Sequence, residues 1–324
     1  MHDTILASLS NRWPGRPALV LFGLVLIAAL AGYWAFGSRY QTSSPAFGGI
    51  AASLGGSAVE KGAYIFRAAG CAACHTAEDG ALLAGGRGFE TPFGRFYSTN
   101  ITPDPVSGIG GWSTDDLIRA LREGKSPDGR HYFPAFPYTN YTLMADADIR
   151  ALKAYLDSVP PVAGAAPAHE LAFPLSLLPV DLVRYGMIGW KWLYFEQGPY
   201  RSPPAADEVL ARGQYLVQGP GHCSACHTPR NVLGAPKTRL DLAGAAHGPG
   251  GKAVPAIHYG RGDGIGAWQK EDITFALETG MTPDGDVMGG AMAEVVENGT
   301  SYLNPADLNA IASYLMTLTP QDNP

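Results

Sequence analysis

The sequence predicts an all-α fold in which two copies of one small domain follow a single N-terminal transmembrane helix. Two observations support the pair of domains. A five-residue motif of cysteines and histidine occurs twice, and short landmarks around it repeat in the same order in each half. A third observation, an uncharged apolar stretch near the start of the chain, predicts the transmembrane helix. A length of 324 residues also suits two modest domains.

The repeated motif has the form Cys-x-x-Cys-His, and its two copies use all four cysteines of the chain. This is the attachment motif for c-type haem. The two thiols form thioethers with the haem vinyl groups, and the adjacent histidine binds the iron. The sequence therefore predicts two covalently bound haem c groups. Their expected ligands are Cys71, Cys74 and His75 in the first half, and Cys223, Cys226 and His227 in the second.

Other uses of paired cysteines fit these motifs less well. A structural zinc site takes four nitrogen or sulfur ligands, which the two pairs offer, but a histidine then stays unexplained after each pair. A thioredoxin-like pair needs a βαβ setting, and no such pattern surrounds either motif. Disulfides suit an exported protein, yet a Cys-x-x-Cys pair is a poor structural crosslink. Haem attachment explains every cysteine and the histidine beside each pair.

The N-terminal stretch is apolar and uncharged from Ala18 to Phe36, after a short lead that contains Arg12 and Arg16. That length is enough for one membrane span, and the aromatic ending is typical of a retained anchor. A secretory signal peptide cleaved near residues 29–31 is the alternative. Either segment exports the rest of the chain, as covalent haem attachment requires. We expect a bacterial inner-membrane protein with its haem domains in the periplasm.

The domain boundaries follow shifts in composition along the chain. A stretch rich in Gly, Ser and Ala is expected to be a flexible tether. A segment with several prolines and a run of Trp, Tyr and Phe is interpreted as a connector packed against both halves, with a partner-docking patch as the alternative. The expected units are lead and anchor 1–37, tether 38–55, first domain 56–162, connector 163–203 and second domain 204–324.

Each domain is expected to contain three helices: one before the haem motif, one in the middle and one at the end. Ser113 and Asp116 form a near capping box for a middle helix that Gly124 ends, and Asn304 caps the last helix with Pro305 at its first position. Equivalent landmarks support the repeat. The predicted helices cover about 59–69, 114–123, 146–158, 207–217, 268–279 and 305 onward, and the matched landmarks are 108–112 with 264–268 and 126–129 with 282–285.

The sixth iron ligand of a c-type electron carrier is usually methionine, which raises the haem potential. It should lie in the loop before the last helix of each domain. In the second half that loop offers Met281, Met288 and Met292. Met292 is preferred because its small neighbours allow close approach to the ring; Met288 is the alternative, and Met281 is expected to pack.

The first half is less regular in this respect. Counted from the Pro-Asp-Gly landmark, Phe136 stands at the position of Met292, and phenylalanine cannot bind iron. Met144, directly before the last helix, is the predicted sixth ligand, although a hydrophobic staple at the helix entrance would also explain it. His131 is the other candidate, and it would give this haem a lower potential.

Composition and motifs exclude several other functions. The net charge is −6, and no basic run or basic aromatic patch suggests a nucleic-acid partner. The chain contains no Gly-rich phosphate loop, nucleophile elbow or paired-carboxylate motif. The sequence points instead to one-electron exchange at iron.

Four segments resemble the membrane-associated cytochrome c subunits of bacterial periplasmic dehydrogenases, namely 98–104, 134–138, 221–231 and 290–296. The likeness extends over most of 56–320. It implies two tandem class I cytochrome c domains that accept electrons from a dehydrogenase acting on alcohols, aldehydes or sugar acids. It also implies transfer to quinone, another cytochrome or an oxidase. The departures are two haem motifs where alcohol and gluconate dehydrogenase subunits usually have three, and Phe136 where those subunits often have methionine.

The leading hypothesis is therefore a dihaem electron-transfer subunit that is not itself catalytic. A dihaem enzyme of the peroxidase type is an alternative, because a haem without a firm sixth ligand can open a coordination site. An anchored dihaem subunit of a terminal oxidase is another alternative with the same architecture.

Overall fold

The computed structural model describes residues 49–198, 207–260 and 264–319, in which helices predominate and one small sheet is present. The first half contains α1 (Ala58–Ala68), α2 (Cys71–His75), α3 (Thr114–Glu123), α4 (Tyr138–Tyr141) and α5 (Asp146–Leu156). The connector contains α6 (Val180–Tyr194). The second half contains α7 (Glu208–Gln218), α8 (Ser224–His227), α9 (Lys270–Thr279), α10 (Ala291–Asn298) and α11 (Pro305–Thr317).

Each half is built around the crossing of its first and last long helices, α1 with α5 and α7 with α11. Glycine makes both crossings possible. A Cβ atom on Gly62 would lie 2.0 Å from the Ala151 carbonyl oxygen, and one on Gly213 would lie 1.9 Å from that of Ala310. Since atoms cannot approach so closely, both helix pairs require a residue without a side chain at this point.

The predicted helix signals are confirmed. Ser113 and Asp116 form a full capping box at the start of α3, and Gly124 ends that helix with a positive φ. The Asn304 side chain accepts the Asp307 N–H at the start of α11, with Pro305 in the first turn. These local contacts therefore determine where both helices begin and where α3 ends.

The prediction of a purely helical fold missed a small antiparallel sheet, which has the strand order β1 (Gly88–Thr91), β2 (Gly94–Tyr97), β3 (Glu170–Leu171). Its hairpin is local, because Thr91 accepts the Phe93 N–H and donates to the Gly94 carbonyl. Helices α6 and α10 were also not predicted. Helix α6 lies in the segment interpreted as a connector, and α10 lies in the loop expected to carry the sixth ligand of the second half.

Two residues of the predicted tether, 38–55, are held in place in the described part of the chain. Ile50 and Ala51 are buried, and their backbone N–H groups donate to the Asp148 carboxylate at 2.9 and 2.7 Å. These residues are therefore docked on the first half near the start of α5. Composition alone did not reveal this, because their partner lies almost a hundred residues away in the sequence.

The predicted transmembrane helix, Ala18 to Phe36, lies outside the described residues. Within the part of the chain that is described, no helix has the length and apolar character needed to cross a membrane.

The two halves are joined by a reciprocal pair of tyrosine contacts. Tyr64 on α1 donates to Asp307 on α11 at 2.5 Å, and its oxygen accepts the Asn304 N–H. In the mirrored contact, Tyr215 on α7 donates to Asp148 on α5 at 2.7 Å, and its oxygen accepts the N–H of the residue that caps α5. The first helix of each half therefore binds the last helix of the other, which relates the halves by an approximate two-fold arrangement.

The connector packs against both halves, as predicted. On α6, the Trp190 indole donates to the Leu233 carbonyl in the second half, and the Lys191 ammonium donates to the Glu123 and Gly124 carbonyls in the first. The opposite face of α6 and the loop before it expose apolar side chains, with Tyr185 68% exposed. The others are Phe173, Leu177, Leu178, Leu182, Ile188, Trp192 and Leu193.

Candidate haem-binding sites

Both Cys-x-x-Cys-His motifs form a short helical turn, α2 and α8, directly after a long helix. The residue before the first cysteine has a left-handed backbone in each case, Gly70 at φ 58° and His222 at φ 38°. Glycine adopts this conformation freely, and histidine is among the side chains that tolerate it. This sharp change of direction ends the long helix and begins the short helical turn. The short turn holds both cysteines and the histidine of the motif.

The two motif histidines are oriented in the same way. His75 Nδ1 lies 2.7 Å from the Thr99 carbonyl oxygen, and His227 Nδ1 lies 2.8 Å from the Pro255 carbonyl oxygen. A carbonyl only accepts, so Nδ1 carries the proton and Nε2 keeps its lone pair for a metal. Burial lowers the pKa of both imidazoles, which favours the neutral form that ligates iron. This geometry fits a haem iron on Nε2.

None of the four motif cysteines is paired in a disulfide, which leaves all four for haem attachment. Burial raises the pKa of the Cys71 and Cys223 thiols to about 12, because their apolar surroundings disfavour a thiolate. Among the described residues, no three His, Cys, Asp or Glu side chains are grouped as a metal-binding cluster. The donor set of each turn, two thiols and one imidazole, is that of haem c.

The two attachment turns are neighbours. Burial raises the pKa of Cys74 to about 11, and the proximity of the Cys226 thiol adds to this rise. An arginine holds the same carbonyl in each turn: Arg87 donates to the Ala73 oxygen at 2.7 Å, and Arg230 donates to the Ala225 oxygen at 3.1 Å. Both turns are thereby fixed from outside by a cationic side chain.

The candidate sixth ligand of the second half, Met292, lies in the first turn of α10 and is half-buried. Gly290 precedes it with a φ of 59°, a conformation that lets the chain turn sharply into the helix. Met288 is also half-buried and its N–H bonds to the Gly280 carbonyl, whereas Met281 is 39% exposed. Met292 and Met288 are both half-buried and both remain candidates, and the choice of Met292 stays a prediction.

In the first half, Phe136 occupies an aromatic cluster with Tyr132, Tyr138 and Tyr141. Met144 lies directly before the cap of α5, and its side chain is 0% exposed in the apolar core. Met144 and Ile149 occupy the N′ and N4 positions of α5, the positions of a hydrophobic staple, as Leu303 and Leu308 do in α11, and all four are buried in one apolar core. The structure thus supports the staple interpretation of Met144, and its ligation of iron stays a prediction.

His131, the other candidate in the first half, is buried beside the connector helix. Its carbonyl accepts from Arg184 at 3.2 Å, and its Nδ1 has no hydrogen-bond partner among the described residues. Burial, and the charges of Lys191 and Lys125, lower its pKa to about 4, so its ring is neutral at pH 7. These contacts assign His131 to the junction between α6 and the first half.

Sequence reasoning missed the residues that orient the histidines and join the turns. Thr99 and Pro255 act through backbone carbonyls, which leave no signal in a side-chain pattern. His222 also has a structural role that the sequence does not reveal, because its ring packs on Tyr141 of the first half, with centroids 5.4 Å apart. A positional comparison of Tyr64 with Tyr215 would have suggested that these two residues have matched roles.

Comparison with known proteins agrees with this geometry. A family model described as "Cytochrome c" matches residues 59–160. A "Diheme cytochrome c-type" protein of Cereibacter sphaeroides is 44% identical over 300 residues, which cover 90% of this chain and 94% of that protein. The "Gluconate 2-dehydrogenase cytochrome c subunit" of Pantoea cypripedii is 38% identical over 272 residues, or 82% of this chain and 60% of that protein.

A third relative, the "Alcohol dehydrogenase (quinone), cytochrome c subunit" of Gluconobacter oxydans, is 37% identical over 267 residues, which cover 80% of this chain but 54% of that protein. The chain therefore spans less than two thirds of these dehydrogenase subunits, and nearly all of the dihaem cytochrome. Two matched attachment turns, and a relative that shares almost the full length, lead to one conclusion. The chain belongs to the dihaem c-type cytochromes and holds two covalently bound haem c groups.

Proposed function

We propose that this protein relays single electrons from a periplasmic dehydrogenase, through its two haems, to quinone or a downstream cytochrome or oxidase. The observation that carries the proposal is the pair of equivalent, adjacent attachment turns, each with its histidine held by a backbone carbonyl. Haem c supplies one-electron exchange between Fe(III) and Fe(II). The chain supplies the axial ligands, the burial and the fixed spacing that such a relay needs.

The two halves act, in this proposal, as tandem class I cytochrome c domains, 56–162 and 204–324. Their support is the repeated order of helix, attachment turn, capped helix and terminal helix, with a glycine at each helix crossing. His75 and Met144 would ligate the iron of the first haem, and His227 and Met292 would ligate that of the second. Two methionine ligands would give both haems the higher potentials of c-type carriers.

A dehydrogenase partner is supported by the names of the relatives, five of which are subunits of gluconate, alcohol or fructose dehydrogenases. We place its docking surface on the exposed apolar face of α6. That face combines Leu182, Tyr185 and Trp192 with a single exposed acid, Asp181. Exposed aromatic side chains with few charged neighbours are typical of the core of a protein interface.

Docking on α6 has a direct kinetic test. For any dehydrogenase that reduces the wild-type protein, the double variant Leu182→Ser, Trp192→Ser should be reduced at least tenfold more slowly, while its haem spectrum is unchanged. The control is Val232→Ser, which alters an equally apolar side chain that is 93% exposed in the second half. Equal reduction rates for the double variant and the wild type would remove α6 as the docking surface.

For localisation, we propose an inner-membrane anchor formed by residues 18–36, with both haem domains in the periplasm. The support is the apolar length of that segment and the export that haem attachment requires. Replacing residues 1–37 by a cleavable secretory signal peptide tests this, because the haem protein should then be exported and released from the membrane fraction.

Redox titration of the purified protein tests the relay itself. Two six-coordinate low-spin haems, reduced one electron each and without peroxide turnover, are the expected result. A large high-spin fraction that consumes peroxide would instead establish the peroxidase-type alternative.

A further inference from the structure

The loop that precedes the last helix in each half reaches across to the attachment turn of the other half. In one direction, the Asn140 amide donates to the Ser224 hydroxyl at 2.7 Å and to the Gln218 carbonyl at 2.9 Å. Ser224 is the second residue of the second motif, and Asn140 belongs to the segment that leads to Met144. The ligand segment of the first half is therefore tied to the haem turn of the second.

In the other direction, the link is a charged one. The Arg87 guanidinium pairs with Glu294, with contacts of 2.6 and 2.8 Å, and also donates to the Ala73 carbonyl at 2.7 Å. Ala73 lies inside the first motif, and Glu294 lies two residues after Met292 on α10. Arg87 thus bridges the attachment turn of the first half and the ligand helix of the second.

This bridge is sheltered enough to matter electrostatically. The Arg87 and Glu294 side chains are 32% and 35% exposed, and α10 packs directly on α2. Charges in a partly buried position are screened less than surface charges. A cation near a haem stabilises the reduced form, which carries one more electron, and an anion destabilises it.

We propose that Arg87 and Glu294 are positioning residues that couple the two haems, so that a change at this ion pair shifts both midpoint potentials together. The inference rests on the relay proposed above and goes beyond it, because it assigns control of both haem potentials to one ion pair. The paired charges hold α10 on the first attachment turn. They also cancel, so that neither haem experiences a net charge from the bridge.

The test is spectroelectrochemical titration of the full-length, haem-loaded protein. Arg87→Gln leaves Glu294 uncompensated and should lower both potentials, whereas Glu294→Gln leaves Arg87 uncompensated and should raise both. Each shift should be at least threefold in the Fe(II)/Fe(III) equilibrium, about 28 mV at ~59 mV per tenfold change for one electron. The double variant should lie between the single variants.

The control is Glu297→Gln, which removes the same charge from an exposed position of the same helix and should leave both potentials unchanged. Shifts of equal sign in both single variants would mean that the pair acts only by holding α10, and a shift of one haem alone would mean that no coupling passes through it. Either result overturns the inference. A protein without two redox-active haems would overturn the relay itself, so the two failures are distinguishable.

Discussion

Tyr64 on α1 donates its hydroxyl hydrogen to the carboxylate of Asp307 on α11, and 243 residues of chain separate the two. The equivalent Tyr215 makes the same bond to Asp148. Both aspartates are 0% exposed, so each needs the hydroxyl to stabilise its oxygens. The two bonds, one from each half, fix the relation between the haem turns.

Tyr64→Phe and Tyr215→Phe should each lower the free energy of unfolding, because each removes a hydrogen bond to a buried carboxylate. The expected loss is about 1.5–3 kcal/mol for each variant. Chemical denaturation followed by far-UV circular dichroism measures it. Tyr302→Phe is the control, since that ring is 53% exposed and stacks under Arg67. Equal stability of Tyr64→Phe and the control would show that the contact contributes nothing.

Gly62→Ala should lower the free energy of unfolding by about 1–3 kcal/mol, the usual cost of overpacking. The added methyl group would meet the Ala151 carbonyl at the crossing of α1 and α5. Gly186→Ala on α6 is the matched control, because nothing lies within 4 Å of its added carbon. That variant should gain up to about 1 kcal/mol from helix propensity. Thermal unfolding measures the stability of both variants. If their melting temperatures shifted in the same direction, the close contact of α1 with α5 at Gly62 would be contradicted.

Met292→Leu should abolish the near-infrared Met–Fe(III) band of one haem and lower its potential, because methionine ligation raises potential. Leucine keeps the volume of the side chain without its sulfur, so packing is preserved. Met288→Leu is the control on the same loop and should leave the spectrum intact. If the two variants exchange these results, Met288 is the ligand.

Met144→Leu should abolish the corresponding band of the other haem. The second half already uses leucine at this position, Leu303, so the substitution preserves the staple and should cost less than about 1.5 kcal/mol. Absorption spectra and denaturation of one preparation then separate the two roles. A retained band with unchanged stability would leave Met144 with the staple alone.

Lys191→Met should remove a pH dependence of stability. Burial, and then the charge of Lys125, lower the Lys191 pKa to about 7, with Glu123 opposing the shift and His131 and the Tyr138 ring also nearby. At high pH this lysine is neutral in both states. As the pH falls from about 10 to 7, only the unfolded chain takes up the proton, so the wild type loses stability, by up to about 1.4 kcal/mol per pH unit.

Below pH 7 this contribution is constant, since the folded protein then binds the proton as well. Denaturation curves of wild type and variant at pH 7, 8, 9 and 10 measure the difference. A difference that does not change with pH would mean that Lys191 is charged throughout.

The parts of the fold that the sequence predicts correctly are those set by neighbours in the chain. Ser113 with Asp116, and Asn304 with Pro305, mark helix starts through contacts within one turn. The attachment residues are equally local, because thioether chemistry requires both thiols and the imidazole within five positions. Length and repetition then predict two such units.

The parts that could not be predicted depend on distant partners. In the sequence, Asp148 is an ordinary acidic residue in the first turn of a helix. In the folded protein its carboxylate accepts hydrogen bonds from Ile50, Ala51 and Tyr215. Arg87 lies in a Gly-rich loop, and only the fold brings it to Glu294. Such contacts depend on how the halves meet, which no window of sequence contains.

The mirrored tyrosine contacts have an evolutionary consequence. A single ancestral repeat would have carried both the donor on its first helix and the acceptor on its last helix. Two free copies of such a repeat are self-complementary and pair around a two-fold axis. Duplication and fusion of the gene for that repeat would give the present chain, with two haem-binding halves. The contact between the halves would then be the ancestral homodimer contact, and no new interface would be needed.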